Sequence, residues 1–175
     1  MIKHKEKNIF LIGPLGVGKT TIGKQLAKRA HLIFYDSDHE IEKLTGVSVT
    51  TIFDFEGEIG FRKREVEVID RLTQLNSIVL SSGGGAVLSL ENRTAFQSRG
   101  EVIYLKASIE TLFTRTNQRK GTRPLLMTED PYQKIVELNQ VRDPLYREIA
   151  DYIYDTDVQS PKDIANQIYD HLFHS

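Results

Sequence analysis

Short apolar runs alternate with longer stretches of helical periodicity along the chain. Runs rich in β-branched and aromatic residues favour five buried strands, at residues 8–12, 32–35, 78–80, 102–105 and 152–154. Helical patterns lie between them, at residues 20–30, 58–75, 90–98, 109–116 and 131–150. The alternation predicts an α/β fold of three layers, α/β/α, in which helices cover both faces of a parallel sheet.

A final helix is predicted after residue 160. Ser160 and Pro161 are a favourable N-cap and first-turn pair, and Ile164, Ile168 and Leu172 form one apolar stripe behind them. Ligands of parallel α/β sheets bind at the carboxyl ends of the strands. The residues that follow each strand are therefore the first candidates for a functional site.

The totals restrict the class of protein. A chain of 175 residues with 39% hydrophobic and 27% charged residues is expected to form a single domain, 1–175. The net charge of −1 gives no broad basic surface for nucleic acid or an anionic membrane. The lack of cysteine excludes disulfides, thiolate metal sites and a cysteine nucleophile. The first apolar run has only five residues, so we expect neither a signal peptide nor a membrane span, and a cytoplasmic location.

A complete Walker A pattern, G-x-x-x-x-G-K-T, links the first strand to the first helix. Its glycines allow backbone amides to curl around a phosphate, Lys19 can reach the β- and γ-phosphates, and Thr20 can bind Mg²⁺. The alternative is a glycine-rich turn that matches by chance, which the flanking strand and helix disfavour. The predicted ATP-binding residues here are Gly13, Gly16, Val17, Gly18, Lys19, Thr20 and Thr21.

The ends of the second and third strands carry the next candidates. Asp36 and Asp38 follow the second strand and could face one small site. Asp36 and Ser37 are also favourable N-caps for a predicted helix at residues 39–44, and the residues leave both interpretations open. Many P-loop proteins carry an aspartate at the end of the third strand, where this chain has Ser81. Asp36 is therefore the predicted acidic contact to the metal, and the turn Gly83–Gly85 can let backbone approach a small ligand closely.

Taken in order, these motifs resemble those of the shikimate kinase family. They are Walker A, Asp36-x-Asp38, Phe61-Arg62, Gly83-Gly84-Gly85, Arg123-Pro124-Leu125-Leu126 and Arg142-x-x-x-Tyr146-Arg147. Walker A is generic to nucleotide kinases, but the combination is specific, and the likeness runs from residue 8 to the final helix. It implies a five-stranded parallel sheet of the P-loop NTPase type with a nucleoside-monophosphate-kinase-like plan. It also implies a shikimate-binding region at about 36–65 and a mobile lid at about 117–128.

The resemblance assigns roles in acceptor binding. Asp38 would bind shikimate hydroxyls closest to the attacking oxygen, Arg62 and Arg142 would clamp the carboxylate, and Gly83–Gly85 would line the pocket. Planar guanidinium groups independently suit a carboxylate ligand. Taken alone, Arg62 and Glu65 are an ordinary surface pair on a charged helix; the resemblance implies that Glu65 orients Arg62.

Three aromatic residues, Phe53, Phe61 and Tyr146, are predicted to pack in the core. The resemblance implies that the two phenylalanine rings also wall the shikimate pocket.

The resemblance also assigns roles around ATP. Arg123, on the lid, would be catalytic and reach the ATP phosphates, although a plain surface loop is the alternative for that segment. Arg115 and Pro161 would sandwich adenine, with the register between Arg115 and Arg119 left open. Gln159 stands where the family often has a basic residue.

The implied reaction is direct in-line transfer from ATP to the 3-hydroxyl of shikimate, which gives shikimate 3-phosphate and ADP in the synthesis of chorismate and aromatic amino acids. Lys19, Arg123 and Mg²⁺ would offset charge on the γ-phosphoryl group, and Asp38 would orient the hydroxyl and accept its proton late. A monomer is expected. Two alternatives remain: another small-molecule kinase, such as a gluconate kinase, and a nucleotide-binding regulatory module without catalysis.

Overall fold

The computed structural model of the protein describes residues 7–118 and 128–174. It contains five strands: β1 Ile9–Ile12, β2 Ile33–Asp36, β3 Ile78–Ser81, β4 Glu101–Lys106 and β5 Tyr152–Asp155. They form one sheet in the order β2-β3-β1-β4-β5, and every neighbouring pair is parallel. The five predicted strands and the parallel sheet are confirmed.

Seven α-helices surround the sheet in the described part of the chain. They are α1 Lys19–Ala30, α2 Ser37–Thr45, α3 Val49–Thr73, α4 Leu90–Arg99, α5 Ile109–Asn117, α6 Pro131–Ile149 and α7 Pro161–Phe173. Helices α2, α3 and α4 and most of α6 pack on one face of the sheet, and α1, α5 and α7 pack on the other. This is the predicted three-layer arrangement.

The central strand β1 shows why the sheet is covered on both sides. Its four residues are completely buried; Phe10 and Ile12 join the core under α3 and α4, whereas Ile9 and Leu11 join the core under α1 and α7. Successive side chains of a strand point to opposite faces. A continuous apolar run therefore requires helices on both faces, as parallel sheets generally do.

Helix α3 is longer than the sequence pattern predicts. The structure starts it at Val49, where Ser48 Oγ accepts a hydrogen bond from Thr51 N–H, and the predicted helix 58–75 covers only its second part. The β-branched residues that follow Ser48 obscured the first part, because they have low helix propensity. Gly57 separates the two parts, with φ 70° and ψ −177°.

The termini of two other helices position the site. Helix α2 starts at Ser37, immediately after β2, so the predicted helix 39–44 begins two residues too late. Ser160 caps α7 by accepting a hydrogen bond from Asp163 N–H, as predicted, and Pro161 occupies the first turn.

Within residues 7–118 and 128–174, no helix combines the length and apolar character needed to cross a bilayer.

Candidate active site

The loop between β1 and α1 curls back on itself at the carboxyl end of the sheet. Gly16 and Gly18 have φ angles of 85° and 105°, a region that favours glycine. Any Cβ atom on Gly13 would overlap a carbonyl oxygen of β4. Lys19 is buried, and its Nζ donates to the carbonyl oxygens of Gly13 and Pro14 at 2.6 and 2.9 Å. The loop thus surrounds an ammonium group at the start of α1, a suitable place for phosphate.

Asp36 connects this loop to the next helix. Thr20 Oγ1 donates to Asp36 Oδ2 at 3.1 Å, and His39 N–H donates to Asp36 Oδ1 at 3.1 Å. The carboxylate is therefore the N-cap of α2 and a neighbour of the P-loop hydroxyl at the same time. The sequence left open whether Asp36 caps a helix or faces a binding site. Its two carboxylate oxygens allow it to do both.

One open cleft of about 340 Å³ runs along the carboxyl ends of the strands. It is lined by the P-loop, by Asp36 and Asp38, by Gly83 and Gly84, and by a distal group. That distal group consists of Arg115, Gln159 and Pro161. The cleft thus brings together residues from both ends of the sequence. Of the described residues that were predicted to bind the nucleotide, all line this cleft except Gly13, which lies in the P-loop beside it.

The turn Gly83–Gly85 and the side chains around it, Asp38, Arg62 and Arg142, are here called the acceptor half; Asp38, Gly83 and Gly84 line the cleft, and the two arginines lie behind the turn. A Cβ atom on the first glycine of the turn would lie 2.9 Å from both Asp38 Oδ1 and Glu65 Oε2. On the second it would lie 3.4 Å from Arg142 Nη1, and on the third it would overlap the Arg62 guanidinium. A side chain at the first or third glycine would therefore force these charged groups to shift, and three helices meet the turn with charged side chains.

Arg62 is fixed within the acceptor half by several contacts. Its Nη1 donates to Glu65 Oε1 at 2.9 Å, and its Nη2 donates to Glu58 Oε1 at 3.2 Å. The guanidinium also lies 5.2 Å from the centre of the Phe61 ring, which packs 4.8 Å from the ring of Phe53. The pairing of Arg62 with Glu65 is the one expected from the resemblance.

The charges of the acceptor half are largely desolvated. Glu65 is completely buried, and burial raises its pKa, while the Arg62 and Arg142 guanidinium groups oppose that rise. Burial in turn lowers the pKa of Arg142, and the charge of Arg62 contributes to that lowering. Glu65 Oε2 and Arg62 Nε are buried without a hydrogen-bond partner in the described structure. Arg62 and Arg142 share one fully buried carboxylate, Glu65, whereas Glu58, the other partner of Arg62, is exposed. An anionic ligand would therefore reduce the cost of burying the two cations.

Two hydroxyl groups in the acceptor half were not predicted as site residues. Ser37 Oγ accepts a hydrogen bond from Gly83 N–H at 3.0 Å, and Tyr146 donates from its hydroxyl to the Gly84 carbonyl oxygen at 2.5 Å. Tyr146 is buried, as its predicted packing role requires, but its hydrogen bond needs a contact 62 residues away in the chain. The motif Arg142-x-x-x-Tyr146 was the available signal.

The distal part of the cleft contains the predicted adenine residues. Arg115 Nη1 donates to the Val17 carbonyl oxygen at 3.0 Å, so its guanidinium rests on the P-loop. Gln159 and Pro161 line the same cleft at the start of α7. Arg123, like Arg119 and most of the segment 117–128, lies outside the described residues.

The fold and the cleft define a P-loop enzyme of the NTPase type, because phosphate loop, helix terminus and polar residues meet at the carboxyl ends of a parallel sheet. A sequence model of the family described as shikimate kinase matches residues 15–173. The chain belongs to the shikimate kinase family, whose members are ATP-dependent kinases, and its function is that of this family.

Individual relatives agree over nearly the whole chain. The shikimate kinase of Pasteurella multocida (strain Pm70) is 54% identical over 167 residues, which are 95% of this chain and 95% of the relative. That of Haemophilus influenzae (strain PittEE) is 53% identical, with 95% of this chain and 92% of the relative covered.

Solved structures give the same result. The structure of shikimate kinase from Acinetobacter baumannii in complex with shikimate matches with a TM-score of 0.94 and 44% identity, covering 97% of this chain and 94% of that one. Shikimate kinase from Aquifex aeolicus matches with a TM-score of 0.78 and 31% identity, covering 94% of this chain and 95% of that one. The predicted family and P-loop fold are confirmed, and both alternative functions are disfavoured.

Proposed function

We propose that the protein transfers the γ-phosphoryl group of ATP to the 3-hydroxyl of shikimate, which it binds in the acceptor half. The observation that carries this proposal is the convergence of Asp38, Arg62 and Arg142 on the turn Gly83–Gly85, whose first two glycines line the same cleft as the P-loop. A compact carboxylic acid with vicinal hydroxyls offers one anionic group for the arginines and hydroxyls for the aspartate. The relative from Acinetobacter baumannii was solved in complex with shikimate.

Arg62 and Arg142 bind the carboxylate in this proposal. Arg62 is held from behind by Glu58 and Glu65, so its planar group loses little further freedom on binding. Arg142 is buried and its cationic form is disfavoured, which an incoming carboxylate would offset. Glu65 keeps the unliganded pair of cations from repelling each other.

Asp38 orients the acceptor hydroxyl. It lies in the first turn of α2, next to Gly83, and lines the same cleft as Lys19. Phosphoryl transfer proceeds through a loose transition state in most accounts, so the hydroxyl needs alignment more than early deprotonation. Asp38 then accepts the proton as the new O–P bond forms.

The P-loop residues bind ATP and its metal ion. Lys19 Nζ would bind the β- and γ-phosphates, and Thr20 with Asp36 would hold the metal ion. Mg²⁺ commonly binds one or two protein oxygens and completes its coordination shell with water and phosphate oxygens. The Thr20 hydroxyl and the Asp36 carboxylate, 3.1 Å apart, are suitable protein ligands of this kind. When bound, the ion offsets negative charge on the phosphates.

The remaining nucleotide contacts extend from the loop to the distal cleft. Arg115 and Pro161 enclose adenine, and Gln159 contributes an uncharged side chain to the same part of the cleft. Arg123 would add a cation near the transferring group, a role that rests on the sequence resemblance.

A coupled assay of ADP release tests the acceptor. We expect turnover with shikimate and only background ADP release with gluconate or with no acceptor. Faster turnover with gluconate would assign the acceptor half to acyclic sugar acids. Equal ADP release under all three conditions would contradict phosphoryl transfer to a small molecule.

A further inference from the structure

Two buried hydroxyl groups hold the turn Gly83–Gly85 from opposite sides. Ser37, on α2, accepts from the N–H of the first glycine at 3.0 Å. Tyr146, on α6, donates to the carbonyl oxygen of the second at 2.5 Å. Both side chains are fully buried. A buried hydroxyl is favourable only when it is hydrogen-bonded, so each of these two contacts fixes the turn relative to a different helix.

The contact from Tyr146 fixes more than one atom. A peptide unit is planar, and in the trans form its C=O and N–H point in opposite directions. The described part of the chain has no cis peptide bond. Holding the Gly84 carbonyl oxygen therefore also sets the direction of the Gly85 N–H, on the side away from Tyr146.

The position of this turn determines the space in the acceptor half. The second glycine lies against Arg142 and the third against Arg62, so close that a side chain at the third would overlap the guanidinium. Burial raises the pKa of the Tyr146 hydroxyl well above its ordinary value, although the charge of Arg142 and a hydrogen bond between Arg142 and this hydroxyl oppose the rise. The phenol consequently stays protonated and remains a donor over the whole working pH range.

We propose that Tyr146, supported by Ser37, is a positioning residue that sets the Gly83–Gly85 turn for recognition of the acceptor carboxylate. The inference rests on the proposed acceptor site. Without the Tyr146 hydroxyl, the peptide after Gly84 can rotate and Arg142 loses a hydrogen bond to that hydroxyl. The gap between Arg62 and Arg142 is then no longer fixed, and the affinity for shikimate falls. The P-loop keeps its own hydrogen bonds, so ATP binding is largely unaffected.

Tyr104 provides a matched control. Its ring lies 4.9 Å from the ring of Tyr146, and it is equally buried. Its hydroxyl donates to Asp143 Oδ1 at 2.6 Å, and Asp143 also accepts from Arg147 at 2.9 Å. Tyr104→Phe thus removes a neighbouring buried hydroxyl without releasing the glycine turn.

Steady-state kinetics and calorimetry on Tyr146→Phe, Ser37→Ala and Tyr104→Phe test the proposal. Tyr146→Phe should weaken shikimate binding and raise its KM by about tenfold, the effect of one lost hydrogen bond. The KM for ATP and kcat at saturation should change by no more than about twofold to threefold. Ser37→Ala should show the same selective effect. Tyr104→Phe should leave the KM for shikimate unchanged, even though it lowers thermal stability.

Two results would overturn the proposal. One is an equal rise of the KM for shikimate in Tyr104→Phe; the other is a Tyr146→Phe enzyme whose two KM values rise together or not at all. If Tyr146→Phe does not fold, the same comparison between Ser37→Ala and Tyr104→Phe decides.

Arg62→Lys, measured in parallel, separates this inference from the function on which it rests. Wild-type shikimate affinity in Arg62→Lys would reject the acceptor site itself. Weak binding by Arg62→Lys with normal binding by Tyr146→Phe would reject only the positioning role.

Discussion

At the scale of single residues, different side chains of the acceptor half bind the carboxylate and orient the hydroxyl of the acceptor. Arg62 has two carboxylate partners and therefore a defined orientation, whereas Arg142 is a buried cation whose ionisation is already disfavoured. Asp38 lies on a different helix and faces the cleft that leads to Lys19. Recognition of an anion and activation of a hydroxyl can therefore be disturbed separately.

Arg62→Lys keeps the positive charge but removes the planar pair of donors. Shikimate binding should weaken by about 1.5–3 kcal/mol, the range of a hydrogen bond to a charged group, while ATP affinity stays unchanged. Titration calorimetry measures both affinities. Arg64→Lys is the control, because Arg64 pairs with Glu56 at 2.6 Å on the exposed side of the same helix. Unchanged shikimate binding in Arg62→Lys would move the carboxylate site elsewhere.

Asp38→Asn should have the opposite signature. The carboxylate clamp remains, so shikimate still binds, but the rate of transfer should fall by about 10²-fold or more because the acceptor hydroxyl has lost its proton acceptor. Single-turnover measurements give the rate of the chemical step without product release. A variant that keeps the wild-type single-turnover rate would remove Asp38 from the reaction.

At the scale of elements, helix α2 starts without any intervening loop after β2, and Asp36 occupies the joint. One oxygen of its carboxylate caps the helix and the other contacts Thr20. Asp36 therefore connects α2, the helix that carries Asp38, to the P-loop residue Thr20. Substitutions of Asp36 can distinguish its role as a helix cap from the role of its negative charge beside the P-loop.

Asp36→Ala and Asp36→Ser make that separation. Alanine removes the cap and should lower the free energy of unfolding by about 1 kcal/mol, whereas serine retains a capping oxygen and should cost little. Both remove the charge, so both should require more Mg²⁺ for half-maximal rate. Chemical denaturation and Mg²⁺ titrations measure the two effects. If neither variant changes the Mg²⁺ requirement, Asp36 only caps the helix.

The break within α3 gives a second prediction for an element. Gly57 has φ 70° and ψ −177°, a conformation essentially restricted to glycine, so Gly57→Ala should lower the free energy of unfolding by about 1–3 kcal/mol. Gly46→Ala is the control, because Gly46 has φ 74° and ψ 7°, and neither position has an atom within 4 Å of an added Cβ. Any difference in urea denaturation therefore reports backbone strain. Equal costs for both variants would contradict this explanation.

At the scale of the whole molecule, ligand binding should stabilise the folded state by an amount that rises with the logarithm of the ratio of ligand concentration to dissociation constant. Shikimate at about 100 times its dissociation constant should raise the free energy of unfolding by about 2.7 kcal/mol, and gluconate should not raise it. Thermal denaturation monitored by circular dichroism detects the difference. Arg62→Lys at the same shikimate concentration should show a smaller shift, and a full shift in that variant would indicate binding outside the acceptor half.

The sequence predicted the sheet better than it predicted the site. Apolar runs such as Ile9–Ile12 identify buried strands because burial on both faces leaves no polar positions. The Walker A loop was recognisable because its chemistry is contained in eight consecutive residues. The hydrogen bonds of Ser37 and Tyr146 to the glycine turn span 46 and 62 residues, so no local pattern encodes them. The first part of α3 was missed because tertiary packing, and not intrinsic propensity, holds it helical.

The position of β1 in the sheet also bears on how the chain acquires its structure during synthesis. This apolar strand precedes both of its neighbours, since β3 ends at Ser81 and β4 at Lys106. At typical ribosomal rates, the first partner is completed roughly 3–14 seconds after β1. The nascent chain must keep an uncharged, unpaired segment from associating with other chains throughout that interval. The segment that later supports the phosphate loop is thus exposed to association with other chains before the fold closes around it.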